Sequence, residues 1–258
     1  RVPLSLGAVT PAGLQCPYHG WTFDGASGRC SAIPNLSADE PVPASYGVAH
    51  YPVLESHGFV HVWHGDDEPA STCPSNDYAP QGREFTGSAT VNIAFHEYLA
   101  AMLDGPDCLV QTPGVQVTDF YLGDWRREDG RLIVDRAASW AGERLAPEFQ
   151  TELPLIVRTS VPLQGGTMRL DLLSADERLL ASLHLAAIAH KRGTTRLSWR
   201  GYAADGATDH APWGWRLQRL RGRSPFEVRR QVDADTLANL LVTPSHELAR
   251  LRPAPLSA

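Results

Sequence analysis

The chain has only four cysteines in 258 residues. Cys16, Cys30, Cys73 and Cys108 are too few and too scattered for a disulfide framework. They read as one metal ligand and three packed or free thiols, the usage expected of a protein in a reducing cytosol. Long apolar runs are also missing. None reaches the roughly 18 residues needed to span a bilayer, so no membrane role is expected. No basic-then-apolar leader stands at the front, where the first residue is Arg1. Basic excess is absent as well. The formal charge is −6, and a weakly acidic surface argues against nucleic acid as a partner. No internal repeat is visible. What is present is 43% hydrophobic and 20% charged residues, the balance of a soluble globular protein. The length allows one large domain or two of ordinary size.

Residues 1–66 are rich in Gly and Pro, with short apolar runs such as Gly58-Phe59-Val60-His61-Val62-Trp63. This is the texture of a small all-β domain. Residues 67–84 show little periodicity and read as a connector. In residues 91–103 the apolar positions Ile93, Tyr98, Leu99, Met102 and Leu103 recur at helical spacing, and Gly105-Pro106 stops the helix. Strand-like runs follow at 115–122, 132–140, 155–163, 168–173, 179–189 and 195–202, which suggests a second antiparallel sheet. Residues 213–220 and 225–241 read as helical, and the tail from Pro253 as frayed. The expected fold class is α+β.

One run carries chemistry: Cys16-Pro17-Tyr18-His19-Gly20-Trp21-Thr22-Phe23-Asp24. A [2Fe–2S] centre of mixed ligation binds one iron through two thiolates and the other through two imidazoles, which raises its potential. Each half-site offers one Cys and one His on a tight loop. Here Gly20 allows close backbone approach, and Trp21 and Phe23 can pack beneath. A lone Cys-x-x-His is more often a buried thiol beside a surface histidine, and context decides against that here. With Gly28-Arg29-Cys30 and Ile33-Pro34 after it, the run resembles the second cluster loop of the Rieske non-haem iron oxygenases. The likeness is closest to the vanillate O-demethylase-like branch. Upstream, residues 1–7 resemble the segment after the first ligand loop. Downstream, Tyr51-Pro52-Val53-Leu54-Glu55 and residues 58–63 resemble the closing strand pair. Cys30 reads as a packed thiol rather than a replacement ligand. His57, His61 and His64 read as decoration on a strand, His57 and His61 on one side and His64 on the other.

The resemblance implies a [2Fe–2S] cluster held by Cys16 and His19 together with a first Cys-x-His pair. That pair is not in the sequence. Arg1 matches the residue directly after it, so the expectation is a chain cut there, with a partner chain supplying the pair as the other reading.

The resemblance also implies a mononuclear ferrous iron held by two His and one carboxylate. The matching region is Leu103-Asp104-Gly105-Pro106-Asp107-Cys108-Leu109-Val110-Gln111-Thr112-Pro113-Gly114. Asp104 matches an aspartate that bridges the cluster of one subunit to the iron of the next. Asp107 and Thr112 stand where the two histidines belong. No histidine lies between His96 and His184. Asp235 or Asp233 matches the third ligand, so Asp107 and Asp235 read as remnants of the iron site, with His96 a possible approach from the same helix.

By resemblance, then, residues 1–66 form the cluster domain. Residues 85–258 form a helix-grip domain, a sheet wrapping a helix around a substrate cavity. Phe120, Trp125, Trp140 and Trp199 are candidate lining residues, each more often simple core. Two functions stand. One is an oxygenase hydroxylating or demethylating a small aromatic substrate. The other is a non-catalytic member or fragment acting as an electron relay or structural subunit. Implied partners are a reductase or ferredoxin docking near His19, the small-molecule substrate, and sister subunits in a head-to-tail homotrimer or a heteromer with a catalytic homologue.

Overall fold

The structure is a computed structural model that describes residues 2–37, 39–69, 77–140, 154–163, 166–204 and 223–240. Its architecture is α+β, in two compact units, Arg1–Cys73 and Pro74–Ala258. Cys73, the expected helix at 213–220 and the tail from Pro253 lie outside the described residues.

The first unit opens with a 3-10 turn at Leu4–Leu6. A four-stranded antiparallel meander follows: β1 (Ala8–Thr10), β2 (Gly13–Gln15), β3 (Thr22–Phe23) and β4 (Cys30–Ala32). Between β3 and β4 the chain turns on Asp24. Its Oδ1 accepts from the Ser27 amide and hydroxyl, at 2.8 and 2.6 Å. This is the side-chain-to-backbone turn that Asp favours. A separate hairpin pairs β5 (Val53–Ser56) with β6 (Phe59–Val62). His57 sits in the turn of that hairpin at φ +50, not on a strand, so the expected two-sided histidine pattern does not form. Gly58 follows at φ +73, and the tight turn takes both residues into the left-handed region.

In the second unit β7 (Gly82–Val91) leads into α1 (Phe95–Asp104). The helix begins four residues after the expected start, because Val91 still pairs with Thr195 in the sheet. Glu97 accepts from the Ala94 amide at 3.3 Å and satisfies an open donor of the first turn. Gly105 and a 3-10 turn at Pro106–Cys108 end the helix. Then come β8 (Val110–Gln111), β9 (Val115–Tyr121), β10 (Arg126–Glu128), β11 (Arg131–Trp140), β12 (Pro154–Pro162), β13 (Met168–Ser174), β14 (Leu179–Ala189) and β15 (Thr195–Ala204). All of these but β8 join β7 in one antiparallel sheet, in the order β10-β11-β12-β13-β14-β15-β7, with β9 also paired to β11. Before the sheet, Asp77 and Tyr78 already bond to it, inside the stretch read as connector.

The expected helix at 225–241 is described as far as residue 240, and that stretch is not one helix. Glu227–Val228 is a strand, β16, paired with β8, and only Ala234–Ala238 is helical, as α2. The backbone is recruited elsewhere: the Arg229 amide donates to Leu109, and Val232 exchanges bonds with the Asn92 side chain at 2.9 and 3.2 Å. Asp233 caps α2 by accepting from the Thr236 amide at 3.1 Å.

The two sheet faces differ in chemistry. On one, Leu132, Val134, Val157, Leu170, Leu172, Leu183 and Leu197 join Tyr98, Met102 and Leu103 of α1 in the apolar core. Burying each such side chain contributes roughly 1.5–3 kcal/mol over exposure. On the other, Ser160, Arg169, His184 and Arg200 stand opposite one another on successive strands. Period-two alternation puts polar and apolar sets on opposite faces.

Candidate functional site

Cys16 directly follows β2, and the loop to β3 is closed at its base. The Cys16 amide donates to the Trp21 carbonyl at 2.8 Å, and the Gly20 amide to the Cys16 carbonyl at 3.0 Å. Gly20 adopts φ +71, and a Cβ there would meet Pro34 Cγ at 3.0 Å. A glycine is required by the turn and by this close approach. Beneath the loop Phe23 is buried, and Trp21 stacks on Tyr46 with centroids 5.2 Å apart. His19 is exposed at the tip, its ring 3.9 Å from that of Tyr18, while Cys16 is half-buried. One thiol and one imidazole thus leave the same short turn. That fits half of a [2Fe–2S] ligand set, and the chain contains no second such pair among its described residues. Cys30 is buried, its Sγ 3.5 Å from the Ala32 carbonyl, in a packing position.

The residues matched to a mononuclear iron differ in burial and belong to no group of three or more His, Cys, Asp or Glu among the described residues. Asp104 is the last residue of α1 and is buried, 7% exposed. Asp107, in the 3-10 turn, is exposed. Thr112 is buried. Asp235 is exposed on the short α2, and Asp233 is spent on the cap. His96 is exposed in the first turn of α1, about 12 Å along the axis from Asp104, so it does not approach that end. Among the described residues no group of three or more His, Cys, Asp or Glu could hold a metal ion. The donor set here does not fit a two-His, one-carboxylate iron.

Of the candidate lining residues, Trp140 is buried in the core, and Trp125 and Trp199 pack against it. Phe120 is exposed instead, 76%. The β9–β11 register shifts between Arg136 and Ala138, and the extra β9 residues bulge outward. Thr118 stitches the bulge by donating to Ala137 at 2.8 Å and accepting from the Phe120 amide.

The sequence reading missed Arg136. It lies on the α1 side of β11, between Val134 and Ala138, and is 3% exposed. Its Nη2 donates to the Leu103 carbonyl at 2.9 Å, to the Asp104 carbonyl, and to Tyr121 Oη at 2.9 Å. A cation at a helix C-terminus is favoured by the dipole. A signal was present: Arg136 breaks the apolar alternation of Leu132, Val134, Ala138 and Trp140.

Comparison with known proteins places these features. The Rieske [2Fe-2S] domain model matches residues 1–52. Chlorophyllide a oxygenase of Chlamydomonas reinhardtii is 30% identical over 214 residues, 82% of this chain and 31% of that protein. A putative toluene-4-sulfonate monooxygenase system iron-sulfur subunit of Comamonas testosteroni is 43% identical over 74 residues, 29% of this chain and 20% of that protein. The chain therefore spans under a third of these relatives' length. Among solved structures, dicamba monooxygenase bound to dicamba aligns over 99% of this chain and 78% of its own, with a TM-score of 0.59. At 18% identity that likeness shows the fold alone.

Proposed function

We propose a function from one premise: the chain belongs to the Rieske non-haem iron oxygenase family. The reading is an oxygenase component that accepts an electron at a [2Fe–2S] cluster for oxygen-dependent hydroxylation or demethylation of a small aromatic substrate. One observation carries it: Cys16 and His19 leave a single glycine-dependent turn, closed at its base and backed by buried Phe23. The cluster supplies one-electron transfer when bound. The chain's own part is to offer one thiolate and one imidazole, with Phe23 and Trp21 packed beneath the turn. Residues 1–66 serve as the cluster domain and 85–258 as the helix-grip domain. An aromatic substrate class is supported by the toluene-4-sulfonate relative. A reductase or ferredoxin docks near exposed His19, and sister subunits form a head-to-tail trimer in a reducing cytosol.

A second reading has its own support. Asp107 and Asp235 are both exposed, and the described residues assemble no metal group. This favours an electron-relay or structural subunit. Iron analysis of the full-length protein, with the cluster's paramagnetic resonance spectrum, separates the two. About three irons per chain support the oxygenase, and about two support the relay. Absence of a Rieske spectrum sinks both.

A further inference from the structure

The two units divide the chain's charge unequally. Arg1–Cys73 carries seven Asp and Glu residues against two arginines and no lysine. Its formal charge is therefore −5, out of −6 for the whole chain. All seven acidic residues are exposed. In the second unit carboxylates are neutralised: Glu84 by Arg200, Asp135 by Arg126 and Arg158, and Asp171 by Arg169. None of the seven in the first unit joins an ion pair among the described residues.

Part of this charge stands beside the turn that carries Cys16 and His19. Pro34 lies against that turn, since a Cβ on Gly20 would meet Pro34 Cγ at 3.0 Å. Two tight turns follow. The Leu36 amide donates to the Ile33 carbonyl at 3.1 Å, and the Glu40 amide to the Ser37 carbonyl at 3.0 Å. Asp39 is five residues from Pro34, a reach of at most about 18 Å that the turns shorten. At the tip, Tyr18 is 68% exposed, its ring 3.9 Å from that of His19. An exposed aromatic within a charged surround has the make-up of a protein interface, with an aromatic centre and a polar rim.

Like charges held on one small unit repel each other, which is a cost. The same field draws an oppositely charged partner in and speeds encounter, most of all at low salt, and it turns a like-charged partner away. We infer that the first unit is a docking surface for an electron-donor protein with a basic face, Tyr18 at its centre and Asp39 and Glu40 on its rim. This rests on the reading of Cys16 and His19 as the point of electron entry. It selects among the donors which that reading allows, and disfavours one whose own docking face is acidic. Such a contact is small and short-lived, as suits repeated one-electron delivery.

The test uses two oxidants of opposite surface charge on the reduced full-length holoprotein. Cytochrome c presents a basic face, and ferricyanide is an anion. Each takes one electron, so that the cluster is oxidised and the oxidant's iron goes from ferric to ferrous. Stopped-flow absorbance gives both rates at about 10 mM and about 200 mM salt. The cytochrome rate is expected to fall about tenfold or more over that range, and the ferricyanide rate to rise. Asp39→Asn with Glu40→Gln should slow cytochrome about threefold at low salt and leave the high-salt rate unchanged. Asp129→Asn, in the exposed turn between β10 and β11, should alter neither rate. Rates that ignore salt, or that respond in the opposite sense, overturn the proposal. So does a double variant with the wild-type salt response. The cluster's paramagnetic resonance spectrum keeps the two readings apart. Without a Rieske spectrum the electron-entry reading falls and takes this one with it. A normal spectrum with a flat salt response removes the basic donor and spares the oxygenase reading.

Discussion

Arg158 on β12 stands opposite Asp135 on β11 and donates to both its oxygens, Nε to Oδ1 at 2.8 Å and Nη2 to Oδ2 at 3.0 Å. Arg126 adds a third bond at 2.9 Å. Burial pushes the Asp135 carboxyl up, but the two guanidinium groups outweigh it and hold it below the ordinary carboxylate value. The stabilisation is therefore full above about pH 4, the unfolded value, and is lost as pH falls through the lower folded value. Asp135→Asn is expected to cost about 2 kcal/mol at neutral pH. The gap from wild type should narrow in acid. Urea unfolding of both proteins at pH 7 and pH 3 measures it.

His184 gives the opposite kind of pH dependence. It is 1% exposed on β14, edge-on to Tyr78, with Arg169 and Arg200 opposite it on the flanking strands. Asp77 is 3.8 Å away, a distance that suits a neutral imidazole better than an ion pair. Burial, then the nearby Arg169 and Arg131 charges, push its pKa down to about 4 against the pull of Asp77. Between about 6.5 and that value the unfolded chain binds a proton that the folded chain does not. Stability should fall with pH across this window, by at most about 1.4 kcal/mol per unit, and level off below it. His184→Gln should flatten that slope. Melting temperatures from pH 7 to pH 4 read it directly.

The strands were legible because their alternation is strong, and 179–189 coincides with β14. The terminal helix was not. Residues 225–241 have helical spacing, but a tertiary demand overrides it: β8 needs a partner, and Glu227–Val228 supply one. Cys16 and His19 were legible because the chemistry lies in a local run. Arg136 was not, because its importance lies in the non-local end of α1. Asp107 and Asp235 could be named from register alone, yet register says nothing about exposure, and both are on the surface.

Thiol labelling should discriminate among the described cysteines. Burial pushes the Cys108 thiol up to about 11, and the residue is 7% exposed. The thiolate is the reactive species, so Cys108 should resist a disulfide reagent until the protein unfolds. Cys16 is half-buried on a surface loop and should react first in protein lacking its cluster. Mass mapping of labelled peptides, native and in denaturant, checks the order. Early labelling at Cys108 would contradict the buried placement beside α1.

Gly20→Ala addresses the loop itself. The residue sits at φ +71, where a side chain costs roughly 1–2 kcal/mol, and its Cβ would press on Pro34. The Gly20 amide also closes the turn onto the Cys16 carbonyl, so any shift of Gly20 moves Cys16 relative to His19. The first unit has a small buried core, so the strain has few contacts to spread into. In the full-length protein the variant should retain near-native melting of the second unit while its cluster signal weakens or shifts in g-value. Cys16→Ser should abolish the signal, because the hard hydroxyl is a poor substitute for a thiolate on iron. The cluster's paramagnetic resonance spectrum, recorded per iron, measures both variants. An unchanged spectrum in Cys16→Ser would show that this turn holds no cluster, and the family's electron entry would have to be sought elsewhere in the protein.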